Sequence, residues 1–481
     1  MKLSTLAALA CLTTVVPGCA HYPLNAKLEK YESPYAASRA AINSPNRSED
    51  LLLVVSFSGG GTRAATLGYG VLEALARVEV PGPPSAGTQA GGRSVRHLVD
   101  EVDVVTGVSG GSVIAASYAL RGRQIFPDFK EQFLNRNVTW GLIGRGLNPI
   151  NWFRLASVYF SRTDLEAEYF DDLLFHGATY KDLDPLKGPD LIIQATDIVD
   201  GYYFSFSRMQ FGIICSNLSS YPLARAVAAS ASLPGPFTAI TLRNYAGQCG
   251  YQEEPWMTAA LAKRDMTSRS YRFSKQLQSY QNWEDKPYIH LVDGGISDNL
   301  GVRGYLDVLG TGQHLRNTLT QRGLDKVKRV AFIVVNAETK RSTKRWSMLE
   351  ETPDLVSIQD VSFTAMINSL NFESMELLRR MVKDWSEDRQ TAKPGSQPLD
   401  LYAVEVTFNA LPNVKEQETF LNFPTSFDLS AEQVDRLREV AGRVLFNSPD
   451  FHRLVRDLGG KLPELAGAPI APSQVLPASV P

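Results

Sequence analysis

The stretch Val102-Asp103-Val104-Val105-Thr106-Gly107-Val108-Ser109-Gly110-Gly111 decides the fold. It opens as an apolar run of strand length and closes as a serine bracketed by glycines, and Ser112-Val113-Ile114-Ala115-Ala116-Ser117-Tyr118-Ala119-Leu120 then reads as a helix. A strand, a sharp turn and a helix with a serine at the tip expose the hydroxyl only if the neighbours are small, which is what Gly107 and Gly111 provide. Ser109 is therefore a candidate nucleophile. The pattern alone is weak, because G-x-S-x-G arises by chance in roughly one or two of every ten chains of this length. Its surroundings must decide.

Upstream, Leu51-Leu52-Leu53-Val54-Val55-Ser56-Phe57 reads as a buried strand running into Ser58-Gly59-Gly60-Gly61-Thr62-Arg63-Ala64, after which Leu67, Val71, Leu72, Leu75 and Val78 recur at helical spacing. Three glycines at a strand-to-helix junction present N–H groups at a helix N-terminus, where dipole and unpaired donors favour an anion. An oxyanion hole needs such donors. The same residues also satisfy the dinucleotide pattern Gly-x-Gly-x-x-Ala, with Glu79 near the distance of a ribose-binding acid, although Glu79 runs into a Pro-Gly-rich loop. Downstream, His290-Leu291-Val292-Asp293-Gly294-Gly295 is a short apolar strand ending in an acid on a glycine turn. Such a carboxylate can accept a serine proton directly, or the segment is an ordinary turn.

Taken together, the glycine loop Gly59 to Ala64, the elbow Gly107 to Gly111, the segment Ala229-Ser230-Ala231-Ser232-Leu233-Pro234-Gly235-Pro236-Phe237 and the turn Asp293-Gly294-Gly295 resemble the patatin-like phospholipase family over about residues 50 to 301. The resemblance implies a three-layer α/β fold with a central, mostly parallel sheet. It also implies a Ser-Asp dyad without histidine, in which Ser109 attacks an acyl ester, Asp293 takes its proton, and N–H groups of Gly59, Gly60 and Gly61 hold the oxyanion. Ala64 stands where that family's loop commonly has glycine. A Ser-His-Asp order could also be met by Ser109, Asp293 and His314, but His314 sits in a polar stretch. The histidines lack metal-ligand spacing, so neither a metal nor a cofactor is expected.

At the start of the chain, Lys2, a short apolar stretch from Leu3 to Val16 and Val16-Pro17-Gly18-Cys19 read as a secretory signal, too short to span a bilayer. It resembles the lipobox of bacterial lipoproteins, with Cys19 lipidated and the product held on the cell envelope, in particular the outer membrane. Cys11 would leave with the signal; Cys215 and Cys249 remain, either paired or as two separate buried thiols. Of the 481 residues, 44% are hydrophobic and 21% charged, enough for a large core. The formal charge of −2, or −3 without Lys2, favours neither nucleic acid nor electrostatic capture by anionic lipid. The expected partners are a lipid substrate and, through the N-terminus, a membrane.

The expected organisation is a signal over 1–18, a tether over 19–48, a catalytic core over 49–340, a helix-rich C-terminal part over 341–465 with a late strand near 399–408, and a disordered tail over 466–481. Apolar runs at 191–196, 330–335 and 401–406 alternate with helical segments, as in a parallel α/β sheet, which would put Ser109 and Asp293 at its carboxyl edge. Two stretches could cover the site. Trp140 to Phe160, rich in aromatics, reads first as core packing and second as a lid or acyl-chain wall. Asp354 to Trp385 reads as a peripheral helix hairpin. Two classes of function then compete: a serine hydrolase of lipid esters, of phospholipase A or lysophospholipase type, and an inactive lipid- or partner-binding lipoprotein on the same scaffold.

Overall fold

The structure, a computed structural model, describes residues 20–33, 47–84, 93–184, 188–309, 319–320, 323–340, 348, 350–390 and 399–463. The signal segment, Cys19, His314 and the expected tail lie outside them. Eight strands form the central sheet: β1 (Leu51–Phe57), β4 (Val102–Val108), β5 (Asp190–Asp197), β6 (Tyr202–Phe206), β7 (Ile240–Arg243), β8 (Tyr288–Asp293), β9 (Arg329–Asn336) and β10 (Asp400–Thr407). Their order is β10-β9-β1-β4-β5-β8-β7, with β6 also paired to β5. Strands β10, β9, β1, β4 and β5 are parallel, β6 and β8 run antiparallel to β5, and β7 pairs antiparallel with β8. The remaining two, β2 (Glu79–Pro84) and β3 (Arg93–His97), form a separate antiparallel pair. Glu79 is thus not at the end of the next parallel strand beside β1, which is β4, and the dinucleotide reading of the glycine loop fails because its expected acid opens the separate pair.

The layers follow from the alternation of side chains along each strand. On β1, Leu51, Leu53, Val55 and Phe57 face one core together with α1 (Gly61–Leu75), α2 (Gly110–Arg121), the start of α3 (Val138–Leu147), α5 (Arg162–Phe170), α6 (Leu223–Ala231) and the late helix Ala431–Asn447, whereas α4 (Pro149–Leu155) adds no residue to it. Val54 faces the other core, with Phe332 and Val334 of β9, Leu300, and Met375 and Leu378 of the long helix α7 (Leu355–Gln390). That helix is one continuous rod of 36 residues and not the expected hairpin. No glycine or proline interrupts it, so nothing in its sequence forces a turn.

One further expectation changes. The described part of the tether, residues 20–33, is bound to the body: Asn25 is 3% exposed, and its side chain donates to the Arg243 carbonyl and accepts from the Arg243 N–H. The N–H groups of Leu28 and Tyr31 donate to the carbonyls of Cys215 and Cys249, which are disulfide-bonded with 5.5 Å between their Cα atoms. The polar backbone of the expected tether finds partners in an irregular surface that no local pattern announces.

Candidate active site

Strand β4 delivers Ser109 to the tip of the elbow with φ 50° and ψ −127°, a conformation that side-chain-bearing residues avoid and that a functional site can sustain. The Ser109 hydroxyl donates to Asp293 Oδ2 at 2.9 Å. How the acid gets there differs from the expected parallel arrangement. Strand β8 runs antiparallel to β5 and stops where Asp293 pairs with Ala195, one residue beyond Gln194, which pairs with Val108. Since β6 takes the other edge of β5 opposite both, β4 and β8 lie on one edge and run toward each other, and serine and acid meet where their ends converge.

The end of α6 fixes both. Ser230 accepts the Ser109 N–H at 2.8 Å and donates to the Gln194 carbonyl at 2.5 Å, while the carbonyls of Ser232 and Ser230 accept the N–H groups of Asp293 and Gly294. The Gly295 N–H donates to Asp293 Oδ1 at 2.7 Å, which leaves Oδ2 for the serine. Gly107 ends the β1–β4 register opposite Phe57, and Gly111 begins the packing of α2 against the end of β1.

Burial raises the Asp293 carboxyl to about 6, against the opposing pull of the Gly295 N–H and the Ser109 hydroxyl. A second acid was not foreseen. Glu166 on α5 is fully buried, neither of its oxygens has a hydrogen-bond partner among the described residues, and burial followed by the charge of Asp293 drives its pKa well up. The two environments separate the acids: Glu166 holds its proton, and Asp293 can ionise near neutral pH.

Two helix N-termini converge on the serine. A Cβ placed on Gly110 would lie 2.0 Å from the Gly61 carbonyl oxygen, so α1 and α2 begin with their backbones in contact. Neither carries an acidic residue in its first turn to cancel its positive end. The three glycines of the loop are not equivalent. Gly59 donates its N–H to the Asn299 carbonyl at 3.0 Å, and its missing side chain makes room for the Asn299 amide, whose oxygen would sit 2.3 Å from a Cβ. Gly59 is therefore a spacer with a committed donor. The N–H groups of Gly60, Gly61 and Gly110 have no acceptor among the described residues.

Beside the pair lies a cavity of about 520 Å³. Leu142 and Ile143 of α3 form one wall, Phe363 and Ile367 of α7 another, and Leu233 and Phe237 a third. Arg63, buried on α1, donates to the carbonyls of Ala337 and Phe423 and to the Thr425 hydroxyl, and so ties the last wall, Thr425 to Phe427, to the glycine loop. Both expected covering stretches thus flank the site. Yet Trp140 to Phe160 is not mainly core: Trp140, Leu147, Ile150, Trp152 and Phe153 are exposed. Among the described residues no histidine is bonded to Ser109 or Asp293; His290 shares a hydrogen bond with Thr241, and His452 with the Phe446 carbonyl.

An elbow serine hydrogen-bonded to a buried carboxylate, beside an apolar cavity, has the geometry of a nucleophilic site. The chain belongs to the patatin-like phospholipase family, whose model matches residues 55–306. No curated protein matches it. Solved structures similar to it include human GIVD cytosolic phospholipase A2, at 12% identity and a TM-score of 0.38 over 89% of this chain and 65% of that one. The same human enzyme in complex with methyl gamma-linolenyl fluorophosphonate gives 10% identity and a TM-score of 0.43 over 90% and 65%. The type III effector protein ExoU gives 15% and 0.20 over 85% and 75%. The chain thus spans 65% of the length of the two phospholipase A2 chains.

Proposed function

We propose that this chain hydrolyses acyl esters of phospholipids or lysophospholipids through a Ser109–Asp293 dyad and an acyl-enzyme. The observation that carries the reading is the 2.9 Å hydrogen bond from a serine on a strained elbow to a buried carboxylate. Asp293 Oδ2 takes the hydroxyl proton as Ser109 Oγ attacks the ester carbonyl; the oxyanion that forms is held by the N–H groups of Gly60, Gly61 and Gly110 at the two helix N-termini. Asp293 returns the proton to the leaving alkoxide, and water, deprotonated by the same carboxylate, releases the fatty acid and restores the serine. The apolar cavity next to Ser109 suits the acyl chain. The reading extends to lipidation of Cys19 and a place on the bacterial outer membrane, tested by metabolic labelling with an alkynyl fatty acid that Cys19→Ser should abolish.

Fatty-acid release from phospholipid vesicles, beside fluorophosphonate labelling, tests the chemistry. Release and labelling should both vanish in Ser109→Ala. Labelling without release would shift the substrate to other esters, and absence of labelling in the parent protein would leave a lipid-binding scaffold.

A further inference from the structure

Helices α3 and α4 form a hairpin at the cavity mouth. Positions 139, 142, 143 and 146 of α3 turn one stripe toward the cavity, as helical spacing dictates. The next stripe, with Trp140 and Leu147, and the apolar residues Ile150, Trp152 and Phe153 of α4 face outward. Trp140 is 67% exposed, Ile150 70%, Phe153 64%, and Val158 just beyond 90%. On a monomer in water a cluster of this kind marks a contact surface. Its polar groups are turned inward: the Trp152 indole N–H donates to the Gly146 carbonyl, the Asn151 amide to the Arg145 carbonyl, and Arg145 and Arg154 are paired with Asp172 and Glu168 on the side of the body. The outward face thus consists of hydrocarbon with aromatic rings at its margin, the composition that suits a bilayer interface.

A second observation gives the face an orientation. The N-terminal arm is pinned at the base of the same hairpin: the Ser157 hydroxyl donates to the Ala20 carbonyl at 2.5 Å, the Tyr22 N–H to the Tyr159 carbonyl at 2.8 Å, and the His21 ring stacks on Tyr159. The chain thus enters the described fold on the side where the cavity opens.

We infer that the outward face of the α3–α4 hairpin docks on a lipid bilayer by apolar insertion, seating the cavity mouth against the membrane so that a lipid can pass into the site without crossing water. The inference rests on the proposed lipid hydrolysis and names the surface that delivers its substrate. It also separates two contributions to membrane attachment, since the hairpin binds without an acyl chain on Cys19.

The test uses the full-length chain carrying Cys19→Ser, so that no lipid is attached, and Ser109→Ala, so that vesicles stay intact. It should sediment with phosphatidylcholine vesicles at low and high salt alike, because insertion is apolar. Adding Trp140→Ser, Ile150→Ser and Phe153→Ser should weaken partitioning by about tenfold or more. In the Ser109-bearing protein the same three changes should depress vesicle hydrolysis equally while leaving turnover of p-nitrophenyl butyrate, a soluble ester, unchanged. Equal sedimentation of both proteins, no sedimentation of either, or a dimer in sedimentation velocity that the three changes dissolve would overturn the inference, the last by giving the face to a second copy. Failure of the parent to turn over either ester would count against the hydrolase reading alone, since sedimentation is read on the inactive protein.

Discussion

Asp293 carries opposite demands on one carboxyl. Its folded pKa of about 6 lies above the ordinary 3.8, so burying the ionised form costs stability. The cost is absent below about pH 4, sets in as pH rises, and is complete above about 6. The proposed catalysis runs the other way, because in that reading only the carboxylate accepts the proton. The acid limb of kcat/KM on a soluble ester is therefore expected near pH 6, with activity lost below it. Asp293→Asn should lower kcat by about two to four orders of magnitude yet raise stability at pH 7.5 by on the order of 1–3 kcal/mol, a gain that disappears at pH 4 in urea titrations. Glu166 follows the same sign without the catalytic duty: Glu166→Gln should leave turnover within about threefold and gain stability over the parent as pH rises. Ser109 was legible because a nucleophile at a strained tip must have glycine neighbours, and Asp293 because a strand end on a glycine turn leaves a trace. Glu166 left none, since a glutamate on an amphipathic helix reads as a solvated charge until the packing around it is known.

At the scale of elements, the end of α6 holds the site together. Its Ser230 satisfies the N–H of the nucleophile and reaches the Gln194 carbonyl, so Ser230→Ala should destabilise the fold by about 1–3 kcal/mol and reduce kcat with little change in KM, as measured by thermal unfolding and initial rates. The segment around it was visible in the sequence only through resemblance; a serine in an alanine-rich helix gives no sign of which way it points. The strands were legible as apolar runs, but the antiparallel entry of β8 was not, because direction in a sheet is set by how a connection packs and not by the strand's own residues. The exposed face of α3 and α4 was misread for a related reason. Aromatic density signals burial in something, and the sequence does not say whether that is protein.

For the whole molecule, the Cys215–Cys249 bond closes a loop of 34 residues on which the N-terminal arm lies. Replacing both cysteines by alanine should cost about 3–4 kcal/mol in the chain-entropy estimate, with protease cleavage near residues 20–33 rising first, because the arm's backbone bonds to both cysteine carbonyls. The last consequence comes from the carbonyl of Ser426, which accepts the Thr62 N–H at 2.9 Å at the head of α1 and stands in the cavity wall more than a hundred residues past the end of the family match. A residue so far along the chain completes the cavity proposed to take the acyl group. Selectivity for chain length can then drift through changes in this distant segment while every signature residue stays fixed, so two relatives with identical motifs need not share a diet.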